Sequence, residues 1–192
     1  MCTCSINKEW KKSLDRIVHW DISKRLGDNR LKVVYMDRGK KARKDHHVFI
    51  QEAIVELSKL DFIEFVYKPQ TRSNKVHFSQ TNVEIVSNYN SVDIINWADV
   101  VIGTYSSILV EAVIQDKIII SPLHHKAQST VLEKYDACLK VNSNNEIISL
   151  LRNIHLNNIN EFNLQVGRTK FLDEIVKFNL DFLFWSLIRL SI

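Results

Sequence analysis

Gly103-Thr104-Tyr105-Ser106-Ser107 gathers a glycine and small hydroxyl side chains at one point of the chain, directly after the β-branched run Val100-Val101-Ile102. An uninterrupted run of that kind suits a parallel strand covered on both faces. Gly103 lets the backbone turn without a Cβ, and Ile108, Leu109, Ala112 and Val113 then begin a helical pattern. Hydroxyls and unpaired backbone N–H groups thus converge where a helix starts, which is the chemistry of a phosphate site. A simple helix cap built on Thr104 or Ser106 uses the same residue types. Context has to separate the two.

Other candidate groups lie in loops. Arg38, Lys40, Lys41, Arg43 and Lys44 form a basic run after the strand pattern Leu31 to Met36; such a run is either a solvated face or an anion contact. Glu111 lies four residues beyond Ser107, about one helical turn deeper, where its carboxylate can accept hydrogen bonds from a ribose diol or pair with Lys117 or another cation. Lys68 and Gln70 follow a second strand pattern, and His124 and His125 follow a fifth; these four are candidate base or sugar contacts, although an exposed loop position is the plainer account of the histidines. The sequence contains no Asp-x-Asp pair and no His-x-x-His cluster, so no metal site is expected. Gly-x-Gly-x-x-Gly and Walker patterns are absent too, which disfavours a dinucleotide cofactor or a P-loop. No cofactor is expected.

The elements that must position these groups read as an α/β protein. Short β-branched runs alternate with helical patterns from Leu31 onward: strands at Leu31 to Met36, Phe62 to Tyr67, Val83 to Val86, Val100 to Ile102, Ile118 to Ser121 and Ala137 to Val141. Helical spacing runs from Val48 to Leu60, closed by Asp61, and short helices are expected from Asn90 to Trp97, after Ser107, and from Ser129 to Tyr135. Ser143 and Glu146 make a capping box for Ile147 to Ile154. The fold class is therefore a Rossmann-like, doubly wound parallel sheet of about six strands, a single domain with flanking helices. In the common order 3-2-1-4-5-6 the switch point falls between strands one and four, which sets the basic loop Asp37 to Lys44 beside Gly103 to Ser107.

The 192 residues are expected to divide into an N-terminal helical segment or linker (1–30), a Rossmann-like domain (31–155) and C-terminal amphipathic helices (156–192). Trp10 to Leu26 has helical spacing stopped at Gly27, and Phe178, Phe182, Trp185, Ile188 and Ile192 mark an apolar C-terminal face suited to a partner. Lys and Arg number 26 against 22 Asp and Glu, a net charge of +4, too small a surplus for a dedicated nucleic-acid binder. Three cysteines, Cys2, Cys4 and Cys138, form neither a disulfide framework nor zinc spacing. With no signal peptide pattern and no spanning segment, the expected location is the cytoplasm, with peripheral contact at the inner membrane face.

The run Ile102 to Ser107, followed by Glu111-Ala112 and by Asp116-Lys117 through Ser121-Pro122, resembles the nucleotide-binding half of GT-B glycosyltransferases, among them bacterial surface-polysaccharide enzymes and teichoic-acid glycerophosphotransferases. Val66-Tyr67-Lys68-Pro69-Gln70 resembles the Lys-Pro-His segment of that group, with Gln70 where the histidine stands. The resemblance covers about Leu31 to Ile154. It implies that the Ser-Ser turn holds the diphosphate of a nucleotide-activated sugar without a metal, and that the acceptor and its base belong to a separate N-terminal domain. No catalytic residue is assignable in this chain. The implied function is the donor-binding half of a glycosyltransferase of capsule or lipopolysaccharide synthesis. The rival readings are a catalytically silent binding module and a domain of the sugar-nucleotide 2-epimerase type. A partner N-terminal domain, or a dimer through 178–192, is expected to complete the chain.

Overall fold

The computed structural model describes residues 30–37, 46–69, 83–104, 108–126, 129–156 and 166–174. Six strands, β1 (Leu31–Met36), β2 (Ile63–Lys68), β3 (Glu84–Ile85), β4 (Val100–Gly103), β5 (Ile118–Pro122) and β6 (Leu139–Val141), form one parallel sheet in the order β3-β2-β1-β4-β5-β6. This is the expected order, so the chain winds outward in both directions from β1 and β4. The helices are α1 (His46–Leu57), α2 (Ser91–Trp97), α3 (Ile108–Ile114), α4 (Val131–Lys134), α5 (Asn144–His155) and α6 (166–174). Leu123–His125 forms a 3-10 turn after β5. Helix α1 stops at Leu57, short of the expected Asp61, because Ser58 Oγ bonds back to Val55 O and Lys59 and Leu60 turn in i→i+3 fashion.

Alternation along the strands divides the core in two. Val34, Met36, Val66, Val101 and Ile119 meet α2, α3 and α4 through Ile94, Ile95, Leu109, Ala112 and Leu132. Val33, Tyr35, Ile63, Tyr67, Ile102 and Ile120 meet α1 and α5 through Ile50, Ile54, Leu57, Ile147 and Leu151. A sheet buried on both faces explains why its strands read as unbroken apolar runs.

Local signals set most element ends. Asn90 caps α2, its Oδ1 accepting from Val92 N at 3.1 Å. The Ser143–Glu146 pair works in part as expected: Ser143 Oγ accepts from Glu146 N, but the Glu146 carboxylate reaches Asn142 N. A full capping box occurs instead at Thr130 and Glu133 of α4. Helices α3 and α4 end alike, on Asp116 and Asp136 in left-handed conformation (φ 55° and 54°). In each case the next residue's N–H returns to a carbonyl one turn back, Lys117 to Ala112 and Ala137 to Leu132, the Schellman arrangement usually reserved for glycine.

The segment 166–174 belongs to the first of the two cores. Phe171 is 1% exposed there and meets Tyr135 edge-on. Arg168 bonds Asp116 at 2.7 Å, and Tyr135 donates to Glu174. Gly167 touches the carbonyls of Tyr135 and Asp136 so closely that a Cβ would lie 2.4 and 2.3 Å from them. The expected helices at 10–26 and 178–192 lie outside the described residues.

Candidate functional site

The switch point lies at the carboxyl ends of β1 and β4, where Met36 pairs with Gly103. A Cβ on Gly103 would sit 3.3 Å from Met36 O and 3.2 Å from the Leu109 side chain, a few tenths of an ångström tighter than ordinary contact. One residue beyond the pair stand Asp37 and Thr104, the latter only 7% exposed. Helix α3 then begins at Ile108, two turns long. Ser106, Ser107, Arg38, Lys40, Lys41 and Gln70 lie outside the described residues. Glu111 sits half-buried on α3, its Oε1 accepting from Gln115 Nε2 at 2.9 Å, while Lys117 donates to Asn96 O. The ion pair that offered an alternative account of Glu111 is therefore not formed with Lys117.

Lys68 has a structural task. Its side chain is buried, 3% exposed, and Nζ donates to Val86 O, Ser87 O and Tyr89 O at 3.1, 2.7 and 2.8 Å. An ammonium has three donors, and all three hold the β3–α2 connection. Burial pulls this lysine down to about 8.

The histidines differ from the exposed-loop account. His125 is 1% exposed, on the face of the sheet covered by α1 and α5. Asn144, at the start of α5, donates Nδ2–H to Phe49 O at 3.1 Å, so its Oδ1 faces the two imidazoles. Their Nε2 atoms lie 2.8 Å (His124) and 3.0 Å (His125) from that oxygen, which makes each Nε2 the protonated nitrogen. His125 Nδ1 is left to accept the Tyr35 hydroxyl at 2.9 Å. His124 Nδ1 is buried with no protein partner among the described residues.

Sequence spacing also missed a carboxylate. Tyr67 donates to Asp37 Oδ2 at 2.6 Å and stacks on Tyr35, ring centroids 6.2 Å apart. Burial first, then the Asp37 charge, raise both phenols above their ordinary range, so both remain protonated donors. Ser121, Lys126, Thr130 and Glu133 make a further polar knot below the β5 edge: Glu133 accepts from Ser121 at 2.6 Å, pairs with Lys126 and caps α4. It is buried and serves to anchor the loop. Among the described residues no His, Cys, Asp and Glu cluster suits a metal, and no helix is long and apolar enough to cross a membrane. An open groove of about 360 Å³ lies at the amino end of β2, lined by Arg30, Leu60, Asp61, Glu64 and Glu84, at the opposite edge from Gly103.

No protein-family model and no curated protein matches the sequence. Solved structures do match by fold. The glycotransferase of kitacinnamycin superposes with a TM-score of 0.52 at 10% identity, over 80% of this chain and 41% of that one. The C-terminal CMP-Kdo binding domain of WaaA from Acinetobacter baumannii gives 0.51 at 12% identity, over 84% of this chain and 96% of that domain. This chain has the fold of a GT-B glycosyltransferase domain. The wall teichoic acid polymerase TagF gives 0.50 at 15% identity, over 88% of this chain and 44% of the polymerase. The GT-B-like chain thus spans about two fifths of the kitacinnamycin enzyme and the polymerase, but nearly all of the isolated WaaA domain.

Proposed function

We propose that the chain is the donor-binding half of a metal-independent GT-B transferase of surface-polysaccharide synthesis, taking a nucleotide-diphosphate sugar at the β1–β4 switch point. The observation that carries this reading is the pairing of Met36 with Gly103 at the carboxyl ends of β1 and β4, directly before a turn whose sequence is rich in hydroxyls. In this reading Thr104, Ser106, Ser107 and the amides of the turn hold the diphosphate, with Arg38, Lys40 and Lys41 as cationic support. The same donors would stabilise charge growing on the leaving diphosphate. Glu111 orients the ribose, and His124 and Gln70 border the base or sugar. The acceptor hydroxyl and its base come from a partner domain.

The likeness to a domain named for CMP-Kdo binding supports a nucleotide-sugar guest and adds a one-phosphate donor to the comparison. Calorimetric titration with CDP, UDP, GDP and CMP tests the reading. Binding of at least one, with affinity reduced about tenfold or more in Ser106→Ala/Ser107→Ala, is expected, since two hydrogen bonds to a charged group are removed. Failure of all four nucleotides to bind would overturn the reading. Unchanged affinity in the double variant would overturn the assignment of the turn. A second reading, a binding module without transfer chemistry, is favoured by Gln70, which cannot titrate where the resembled segment carries a histidine. Nucleotide binding without donor hydrolysis or transfer, even with the partner domain supplied, would select it.

A further inference from the structure

The groove at the amino end of β2 has no part in the donor reading, and the chain enters the fold beside it. Leu31 N–H donates to Phe62 O at 3.0 Å, which fixes the first residue of β1 next to the start of β2. Arg30, one residue earlier, lines the groove. Its apolar surface comes from Leu57 and Ile63, which are buried, and from Leu60, Phe65 and Val83, which are only half-buried. At the same edge Phe62 packs against His155, and the following residue, Leu156, is 63% exposed. The amino edge thus carries a strip of incompletely covered apolar side chains, on a sheet whose centre is buried on both faces.

Reach restricts what can cover that strip. Gly27, Asp28 and Asn29 are all that separates Leu26 from Arg30, a span of about 14 Å at full stretch, so the end of the segment 10–26 is held at this edge. That segment carries Leu14, Ile17, Val18 and Ile22 at helical spacing, with Arg16 and Ser23 on the opposite side. As a helix it would measure about 25 Å, long enough to cross the groove, and at that length it is marginal unless its apolar stripe is buried. We propose that residues 10–26 form an amphipathic helix that docks this stripe in the groove, so that the N-terminal segment is part of the domain and not a free tether. Leu60, Phe65 and Val83 then become core residues. Arg30, Glu64 and Glu84 have interactions of their own, and the docking asks nothing of their charges. The inference is independent of the donor reading.

Amide hydrogen exchange on the full chain tests it, in wild type, in Ile17→Lys/Ile22→Lys, and in Ser23→Lys, which charges the opposite side. Residues 10–26 and the groove backbone at 57–65 should be protected together in wild type. Protection of both should fall about tenfold or more in the double variant and stay at the wild-type level in Ser23→Lys. Where the double variant fails to fold, a cross-link decides. With Cys2, Cys4 and Cys138 changed to alanine, Ile22→Cys and Val83→Cys should be joined within one chain by a short bis-maleimide. Residues 10–26 exchanging as fast as an unfolded peptide would overturn the proposal. So would protection at 57–65 that survives in a folded double variant, which assigns the cover to another segment. Failure of the cysteines to join, or a link formed only between two chains, which assigns the groove to a second copy, would also overturn it. Nucleotide titration is unaffected by any of these outcomes, so the donor reading stands or falls separately.

Discussion

Substituting Gly167 by alanine should undock helix α6. The new methyl would lie 2.3 Å from Asp136 O and 2.4 Å from Tyr135 O, where ordinary contact needs about 1 Å more. Both obstacles are backbone. Asp136 is locked in its left-handed turn, with Ala137 N bonded to Leu132 O at 2.8 Å, so the turn cannot yield cheaply and the helix must move. Its movement withdraws Phe171, 1% exposed, and breaks the 2.7 Å bond from Arg168 to Asp116. Truncating a buried phenylalanine alone costs about 3–5 kcal/mol, and undocking should reach a similar figure. For a chain of this length that is a fall in Tm of roughly 6–20 °C. Thermal unfolding followed by circular dichroism should be run on Gly167→Ala, Phe171→Ala and the double variant. If both substitutions release the same helix, the double variant should lose no more than about 1 kcal/mol beyond the worse single one. Gly167→Ala melting within about 3 °C of wild type, or full additivity with Phe171→Ala, would refute the reasoning.

Three further outcomes are expected. His125→Leu strands the buried Tyr35 hydroxyl and should cost about 1–3 kcal/mol beyond the lost packing, part of which returns in the double variant with Tyr35→Phe; a denaturant-melt cycle showing no coupling would contradict the assigned bond. Lys126→Met leaves the Glu133 carboxylate buried without its cation and should cost about 3–5 kcal/mol, only part of it recovered with Glu133→Leu because that change also removes the α4 cap and the acceptor for Ser121, as judged by urea midpoints. For Lys68 the folded chain gives up its proton near pH 8 while the unfolded chain holds it to about 10.5, so the unfolded state binds more protons in that window. The stability of wild type relative to Lys68→Met should therefore rise between pH 8 and 10.5; a flat or falling difference would show that the ammonium is not penalised by burial.

The kind and order of the elements were written in local pattern. Unbroken Val and Ile runs at β1, β4 and β5 announced a sheet buried on both faces, and their alternation with helical spacing announced parallel crossovers and hence the switch point at Gly103. The cap at Ser143 and the helix start at Asn90 were legible because each cap bonds within three residues of itself. Helix and strand ends drifted by a few residues where turn hydrogen bonds, as after Leu57, stop an apolar repeat that continues in sequence.

What spacing could not show are the contacts that join distant segments. Lys68 looked like a ligand contact and became a clamp on carbonyls 18 to 21 residues away. His125 looked like a loop residue and is buried against Tyr35, 90 residues earlier. Asp37 gained its orientation from Tyr67, 30 residues later, and Gly167 became steric only when α6 met the end of α4. Periodicity reports which side of an element is apolar; it carries no information on which polar atoms two folded segments bring within 3 Å. By itself, then, the sequence determined the α/β architecture and the switch point between β1 and β4. Tertiary structure alone decided that Lys68, His125 and Glu133 are consumed in holding the fold, because a buried polar group is costly unless folded segments bring it a partner.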